Sequence, residues 1–298
     1  MTRSSCPLCN SEIFFEYLDF GYAAVMKCKY CALMFSKDVG SAEEVINGYR
    51  TGFHSERHKK GQSINALISY KLLSQLPPQY GLSSTDRLLE VGSGYGYFLS
   101  EVERLSDSRV GIEPSNVERA FSQNLNCQVE HYSALDEVAG ATFDFVFSSE
   151  VIEHVVEPRL FLEQVKSCVR PGGRVVLVTD NFESHIASAM TKHFPKWIPH
   201  SHVCHFSKST LHRLTVECGL EVLCEFDFTP FDALILYWRW RLGLSPNTAN
   251  TQEYRDTEFA RGFKFYSIRK FLNALMFSIF GLGEKGRGSL IGIVALRR

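Results

Sequence analysis

The string Leu88-Leu-Glu-Val-Gly-Ser-Gly-Tyr-Gly96 limits the fold more than any other stretch of the chain. An apolar run enters glycines at 92, 94 and 96, and a helical pattern starts at Tyr97. Glycines so placed let the backbone turn sharply at the end of a strand and let a ligand approach its N–H groups. Seventeen residues past Gly96, Glu113 closes the next apolar run, where a carboxylate can accept both hydroxyls of a ribose. Strand, glycine turn, helix, strand and acid in that order predict an α/β fold that binds a nucleoside.

The rest of the chain agrees. Arg87–Val91, Arg109–Glu113, Gln128–Tyr132, Phe143–Ser148, Arg174–Thr179, Leu220–Phe228 and Ser289–Leu296 read as strands. Between them, Tyr97–Leu105, Val117–Asn124, Arg159–Val169 and a segment from Ser207 to Gly219 read as helices, the third stopped by Pro171-Gly172-Gly173. Alternation of this kind implies a parallel sheet with helices on both faces. Ahead of it, Ser55–Leu76 has helical spacing at Ile64, Leu67, Ile68, Leu72 and Leu76, and Pro77-Pro78 ends it.

Charge narrows the ligand. A dinucleotide fingerprint needs a third glycine at 97, where Tyr97 stands, and no Gly-Lys-Ser/Thr string supplies a phosphate loop. Glu90, just before the loop, repels a pyrophosphate and suits a ligand that carries a sulfonium and an ammonium. S-adenosylmethionine has both. The plainer alternative for Glu90 is ordering of the loop through backbone N–H bonds.

Cys6-Pro-Leu-Cys9 and Cys28-Lys-Tyr-Cys31, 18 residues apart, have the spacing of a zinc ribbon. Two such turns complete a tetrahedral thiolate site, and a closed site of that kind is structural. Ile13–Tyr17 and Ala23–Met26 suit the ribbon strands. Cys127, Cys168, Cys204, Cys218 and Cys224 are scattered, which suits buried thiols. Met1-Thr-Arg-Ser-Ser-Cys-Pro has no apolar core of a signal peptide, so a reducing cytoplasm is expected.

Glu90-Val-Gly-Ser-Gly-Tyr-Gly96 resembles motif I of class I S-adenosylmethionine-dependent methyltransferases. Phe143-Asp-Phe-Val-Phe-Ser-Ser-Glu-Val-Ile-Glu-His154 resembles their fourth-strand motif in the quinone O-methyltransferase group. Val169-Arg-Pro-Gly-Gly-Arg174 is similar to their turn before strand five. Cys28-x-x-Cys31-Ala-Leu-Met-Phe with Tyr49 resembles a zinc-ribbon subgroup that works on sugars, glycolipids or secondary metabolites. Asn10 and Ala32 stand where that subgroup has Gly.

The resemblance implies a Rossmann-like, seven-stranded α/β sheet with an N-terminal zinc ribbon and a helical insertion before the last strand. In residue terms, that is a ribbon over 1–40, connecting helices over 41–80, a cofactor-binding core over 81–230, an insertion over 231–287 and a closing strand over 288–298. It also implies that Gly92, Gly94 and Gly96 lie under the methionine moiety and that Glu113 holds the ribose. Ser133 and Ala134 would flank adenine, and Ser149 and Glu150 would line the methionine side.

Methyl transfer from a sulfonium asks the protein to position a nucleophile and, for a hydroxyl or an acidic carbon, to remove its proton. His154 is the candidate general base, with Glu150 and Glu153 behind it. Packing of the turn before Pro158 is the alternative role for His154. In His200-Ser-His202-Val-Cys204-His205, a second metal site lacks a completing ligand pair, and His202 and His205 are candidates to line the substrate pocket.

Net charge is −1, yet residues 231–298 hold 11 Lys/Arg against 5 Asp/Glu, a net of +6, so the first 230 carry −7. Residues 1–60 hold 8 Lys/Arg and 7 Asp/Glu, which is no footprint for a nucleic-acid backbone. In the insertion, Phe231–Arg241 is aromatic and basic, and Phe263–Phe280 places Phe265, Ile268, Leu272, Leu275, Met276 and Ile279 along one face. A lid packed on the core is the first expectation. A peripheral contact with the inner face of a membrane is the second.

The expected partner is a small-molecule, sugar-containing or lipid-linked acceptor, methylated on oxygen or carbon. The alternatives are an RNA methyltransferase that uses the ribbon for substrate, and an inactive cofactor-binding scaffold.

Overall fold

The computed structural model describes residues 1–51, 56–126, 128–138, 140–244 and 266–298. Cys127 and Phe265 lie outside the described residues.

Seven strands form the main sheet: β4 (Arg87–Val91), β5 (Ser108–Ile112), β6 (Glu130–Tyr132), β7 (Phe143–Ser149), β8 (Val169–Asp180), β10 (Glu221–Phe228) and β11 (Leu290–Leu296). Their order is β10-β11-β8-β7-β4-β5-β6. The five from β8 to β6 are parallel, while β11 enters between β8 and β10 and runs against both. The sheet is therefore mixed at one edge, not wholly parallel. Apolar patterning marks a strand as buried but carries no direction, so this reversal is invisible in the sequence.

Near-continuous apolar runs suit a sheet covered on both faces, and Phe143, Phe145, Val146 and Phe147 of β7 are fully buried. Helices α4 (Asn116–Leu125), α5 (Pro158–Cys168) and α7 (Lys208–Glu217) belong to the crossovers, with α3 (Tyr97–Glu101) directly after the glycine turn. Ser207 caps α7 as expected, and Gly219, at φ 74°, follows its end. α5 stops at Cys168, ahead of the Pro-Gly-Gly string. That string is a bulge inside β8: β7 pairs Phe143 with Val169 and then Phe145 with Arg174.

The ribbon is welded to the core. β1 (Phe14–Asp19), β2 (Ala24–Cys28) and β3 (Met34–Ser36) form an antiparallel sheet whose fourth strand is β9 (Cys204–His205), drawn from the far side of the fold. Arg3 donates to the Val156 carbonyl at 2.8 Å, Arg159 donates to that of Leu8 at 2.9 Å, and Cys6, Leu8, Cys28 and Cys31 share one apolar cluster with β7 and β8. Helices α1 (Ala42–Thr51) and α2 (Glu56–Gln75) follow, and α2 covers the opposite face of the sheet.

In the insertion, α8 (Phe231–Arg241) and α9 (Tyr266–Phe280) pack on each other. Asn273 is buried at their crossing and accepts from the Phe231 amide at 2.9 Å, and Phe277 stacks on Phe228 with ring centroids 3.7 Å apart. The side of α9 that meets the core thus carries Asn273 and Phe277. Ile268, Leu275 and Ile279, expected to pack inward, are exposed. A polar residue that caps a neighbouring helix took the inward position that patterning gave to the aliphatic line.

Candidate active site and metal centre

The glycine turn has the expected geometry. Gly92, Gly94 and Gly96 all have left-handed φ, and a Cβ on Gly92 would lie 2.3 Å from the Val151 Cγ2. Glu113 reaches across the turn: one carboxylate oxygen accepts from the Gly94 amide at 2.9 Å, the other from the Ser115 amide at 2.8 Å. Burial, reinforced by Glu118, moves Glu113 up to about 7 against those two amides. Each oxygen keeps a further lone pair, so both can still meet ribose hydroxyls.

Glu90 is buried, and its Oε2 has no hydrogen-bond partner. Burial and then Glu113 push its carboxyl well above the usual range. A buried carboxyl with an unpartnered oxygen, just ahead of a glycine loop, suits a cation. The ammonium of S-adenosylmethionine answers that need, so the residues present fit the cofactor. Ser133 and Ala134 follow β6 directly beside the Glu113 end of β5, where the Glu113 amide donates to the Tyr132 carbonyl at 3.0 Å. Ser149 ends β7 and lies 3.4 Å from the Ser69 hydroxyl.

Glu150 sits at φ 54°, a left-handed conformation costly for a side chain with a Cβ. Lys196 holds it, donating at 2.9 Å to Glu150 and lying 3.1 Å from Asp180, while Asn65 donates to the other Glu150 oxygen. Burial raises Glu150, but the Lys196 ammonium outweighs it and keeps the carboxylate below its usual range. Glu153 is fully buried, takes one bond from the Thr179 hydroxyl at 2.8 Å, and is pushed well up by burial, Asp180 and Glu150. Burial and its acidic neighbours favour the neutral form of Glu153, and Glu150 is ion-paired with Lys196.

His154 is half-buried, with Nδ1 3.0 Å from the Ser201 carbonyl and 2.6 Å from the Tyr49 hydroxyl. A carbonyl only accepts, so the tautomer with the proton on Nδ1 bonds Ser201 and leaves the lone pair on Nε2, while the other tautomer accepts from the Tyr49 hydroxyl. Burial lowers His154 to about 4, against opposing contributions from the Ser201 carbonyl and Glu150. His202 stacks edge-on against His154 at 4.5 Å and faces Asp180 at 3.7 Å. His202 is buried, so it stands behind His154 rather than lining a pocket. His205 is fully buried between Phe182 and Trp197, with both ring nitrogens unpartnered, and burial lowers it to about 3. It is a core residue, because β9 turns it into the aromatic cluster under the ribbon.

Gln62, Asn65, Asp180, Lys196 and Ser201 escaped the sequence reading. For the first two a signal existed. Gln62, Asn65 and Ser69 form a polar line at helical spacing on α2, beside the apolar one. Gln62 accepts from the Tyr95 amide at 2.9 Å and donates to Glu118 at 2.9 Å.

The four ribbon cysteines bring their sulfurs together, Cys6 to Cys31 at 3.4 Å and Cys9 to Cys28 at 3.5 Å, all within 4.8 Å of one another. Zinc–sulfur bonds of about 2.3 Å give tetrahedron edges of about 3.8 Å, so the donor set fits zinc. Asn10 (φ 58°) and Ala32 (φ 64°) take the left-handed conformation that glycine favours, and the Ala32 amide still closes its turn on the Cys28 carbonyl at 3.1 Å. Replacing Ala32 by Gly removes that strain and is expected to add about 1 kcal/mol to the metal-loaded protein in denaturant titrations. An unchanged or lower stability would show that the turn is unstrained. Among the described residues, Glu153, His154 and His202 form one further group with ligand atoms within 4.8 Å of one another.

A methyltransferase-domain family model matches residues 60–225, more than half of the chain. The chain belongs to the class I, S-adenosylmethionine-dependent methyltransferase domains. This methyltransferase domain is 28% identical over 187 residues to the mitochondrial ubiquinone biosynthesis O-methyltransferase of Homo sapiens, covering 55% of the chain and 48% of that protein. It is 30% identical over 123 residues to the ubiquinone biosynthesis O-methyltransferase of Rhizobium etli, covering 38% and 50%. The chain spans about half the length of these two curated relatives. The structure of an S-adenosylmethionine-dependent methyltransferase from Thermotoga maritima superimposes with a TM-score of 0.55 at 16% identity, covering 85% of this chain and all of that one. At that identity the likeness concerns the fold.

Proposed function

We propose that this domain transfers a methyl group from S-adenosylmethionine to a hydroxyl of a small-molecule acceptor, with His154 as general base. The observation that carries this is the His154 imidazole, tied through Nδ1 to Ser201 and held neutral by burial, five residues past Ser149 at the end of β7. Glu90 and the glycine turn would hold the cofactor's amino-acid end and Glu113 its ribose. S-adenosylmethionine supplies, when bound, an activated methyl on a sulfonium. Nε2 of His154 takes the acceptor proton, His202 fixes the ring from behind, and Lys196 holds Glu150 and Asp180 so that their charge does not spread. Ser133, Ala134, Ser149 and Glu150 complete the cofactor's surroundings in this reading.

The relatives bear the name ubiquinone biosynthesis O-methyltransferase, which supports an oxygen on a quinone-type ring. A panel of polyprenylated catechols with the sugar-containing, lipid-linked and secondary-metabolite acceptors expected from the sequence would sort them. We infer a structural zinc on Cys6, Cys9, Cys28 and Cys31. A reducing, cytoplasmic setting belongs to the same proposal, since thiolates that hold zinc must stay reduced.

His154→Ala is expected to lower kcat by 10²- to 10⁴-fold on the accepted substrate, while cofactor affinity changes less than about threefold. Because burial lowers His154 to about 4, the ring is neutral and base-competent above pH 5. The kcat/KM profile should then lack an inflection at pH 6.5 and fall only toward pH 4. A full rate in His154→Ala, or an acid limb centred at 6.5, would remove His154 from this role.

A further inference from the structure

Helices α8 and α9 turn lines of large apolar side chains to solvent. On α8 these are Ile235, Trp238 (57% exposed) and Leu242, which follows its last turn; on α9 they are Phe271 (63%), Leu275 and Ile279 (62%). Spacings of three and four residues put each set on one side of its helix. A helix normally packs its apolar side, yet α9 meets the core through Asn273 and Phe277 and leaves this line uncovered.

Charge says what the face suits. α8, α9 and the strap 281–287 carry six Lys/Arg (Arg239, Arg241, Arg269, Lys270, Lys285 and Arg287) against Asp232 and Glu284. Asp232, the single acid of the two helices, is already bonded to Arg269 at 2.7 Å, and Lys270 lies 3.2 Å from Glu101 of α3, so the excess positive charge lies toward the end of α8 and the strap. A second copy meeting this face across a two-fold axis would set basic against basic with no free acid in either helix. A cavity of about 430 Å³ opens beside Trp238, lined by Tyr237 and Leu234 of α8, by His185, by Arg287 of the strap and by Asp227, whose carboxylate accepts from the Gly286 and Gly288 amides at 2.6 and 2.9 Å. It has room for a phosphate-bearing headgroup beside a guanidinium.

We propose that the α8–α9 face seats this domain on an anionic lipid bilayer, with a phospholipid headgroup phosphate at Arg287. Trp238 and Phe271 enter the acyl boundary, and the Lys and Arg side chains reach back to the headgroups. The seat is peripheral: among the described residues no helix is long and apolar enough to cross a membrane. It does not depend on which acceptor is methylated, or on methylation at all.

The test is co-sedimentation of the full chain with vesicles of phosphatidylcholine alone or with 30% phosphatidylglycerol. The expected result is a partition at least tenfold higher on the anionic vesicles, falling with salt and lost in Phe271→Ser/Ile279→Ser. Arg287→Glu should lose the preference for phosphatidylglycerol, and soluble glycerol phosphate should not displace the protein. The substituted positions are surface sites, so thermal unfolding and S-adenosylmethionine binding serve as folding controls and should hold. Equal or absent binding to both vesicle types would overturn the proposal, as would full binding by the double variant. A solution dimer, seen by sedimentation velocity and broken by the same double variant, would assign the face to a second copy instead.

Discussion

Gly92→Ala is expected to weaken S-adenosylmethionine binding at least 100-fold, about 2.7 kcal/mol. Gly92 has φ 82°, which costs an alanine on the order of 1–2 kcal/mol, and the new Cβ would fall 2.3 Å from the Val151 Cγ2. Val151 is β-branched and stiff, so the conflict moves backbone rather than a rotamer. That backbone joins Glu150 to His154, and its displacement reaches both the cofactor side and the base. Gly140→Ala is the control. Gly140 has φ 87°, but a Cβ there meets nothing within 4 Å. It should lose about 1 kcal/mol of stability and bind the cofactor as the parent does. Equal loss of affinity in both variants would mean that backbone strain alone, and not the approach of the turn to Val151, sets the effect.

Cys28→Ser is expected to release the ribbon metal, lower the Tm by more than about 10 °C and cut methyl transfer at least tenfold. Structural zinc contributes directly to folding free energy, and this ribbon shares its apolar cluster with the main sheet. The route from ribbon to base is short. β3 pairs with β9, the Ser36 hydroxyl donates to the Pro199 carbonyl at 2.6 Å, and the next turn carries Ser201, whose carbonyl holds His154. Loosening β3 therefore frees the Nδ1 anchor while the glycine turn, bonded to Ile112 and Glu113, stays intact. Metal content by mass spectrometry, thermal unfolding and cofactor titration separate these effects. A metal-free variant with the parental Tm and rate would show the ribbon to be dispensable.

The elements of the candidate cofactor half were legible because they are local. A turn, an acid at the end of the next strand and a charged residue before the turn lie within 24 residues of each other, and periodicity placed β4, β5 and β7 to within a residue or so. The acceptor half was not, because its charges meet only in three dimensions. Lys196 comes from an irregular stretch, Asp180 from the end of β8 and Asn65 from α2, and no spacing rule joins them. His202 and His205 were read as candidates to line the substrate pocket. The sequence hides that β3 captures the short strand Cys204–His205, which leaves His202 buried behind His154 and His205 in the aromatic core. The same non-local pairing turned a ribbon expected as a separate 1–40 unit into part of the site's support. In α9 the apolar pattern was right about the helix and wrong about its inner face, since Asn273 and Phe277 took the buried positions.

A calorimetric titration with S-adenosylmethionine tests the central claim most directly. One saturable site per chain is expected, weakened at least tenfold in Glu113→Ala, whose carboxylate joins the glycine turn to the ribose position. Heats indistinguishable from dilution in the folded, metal-loaded protein would contradict it, as would binding that Glu113→Ala leaves unchanged.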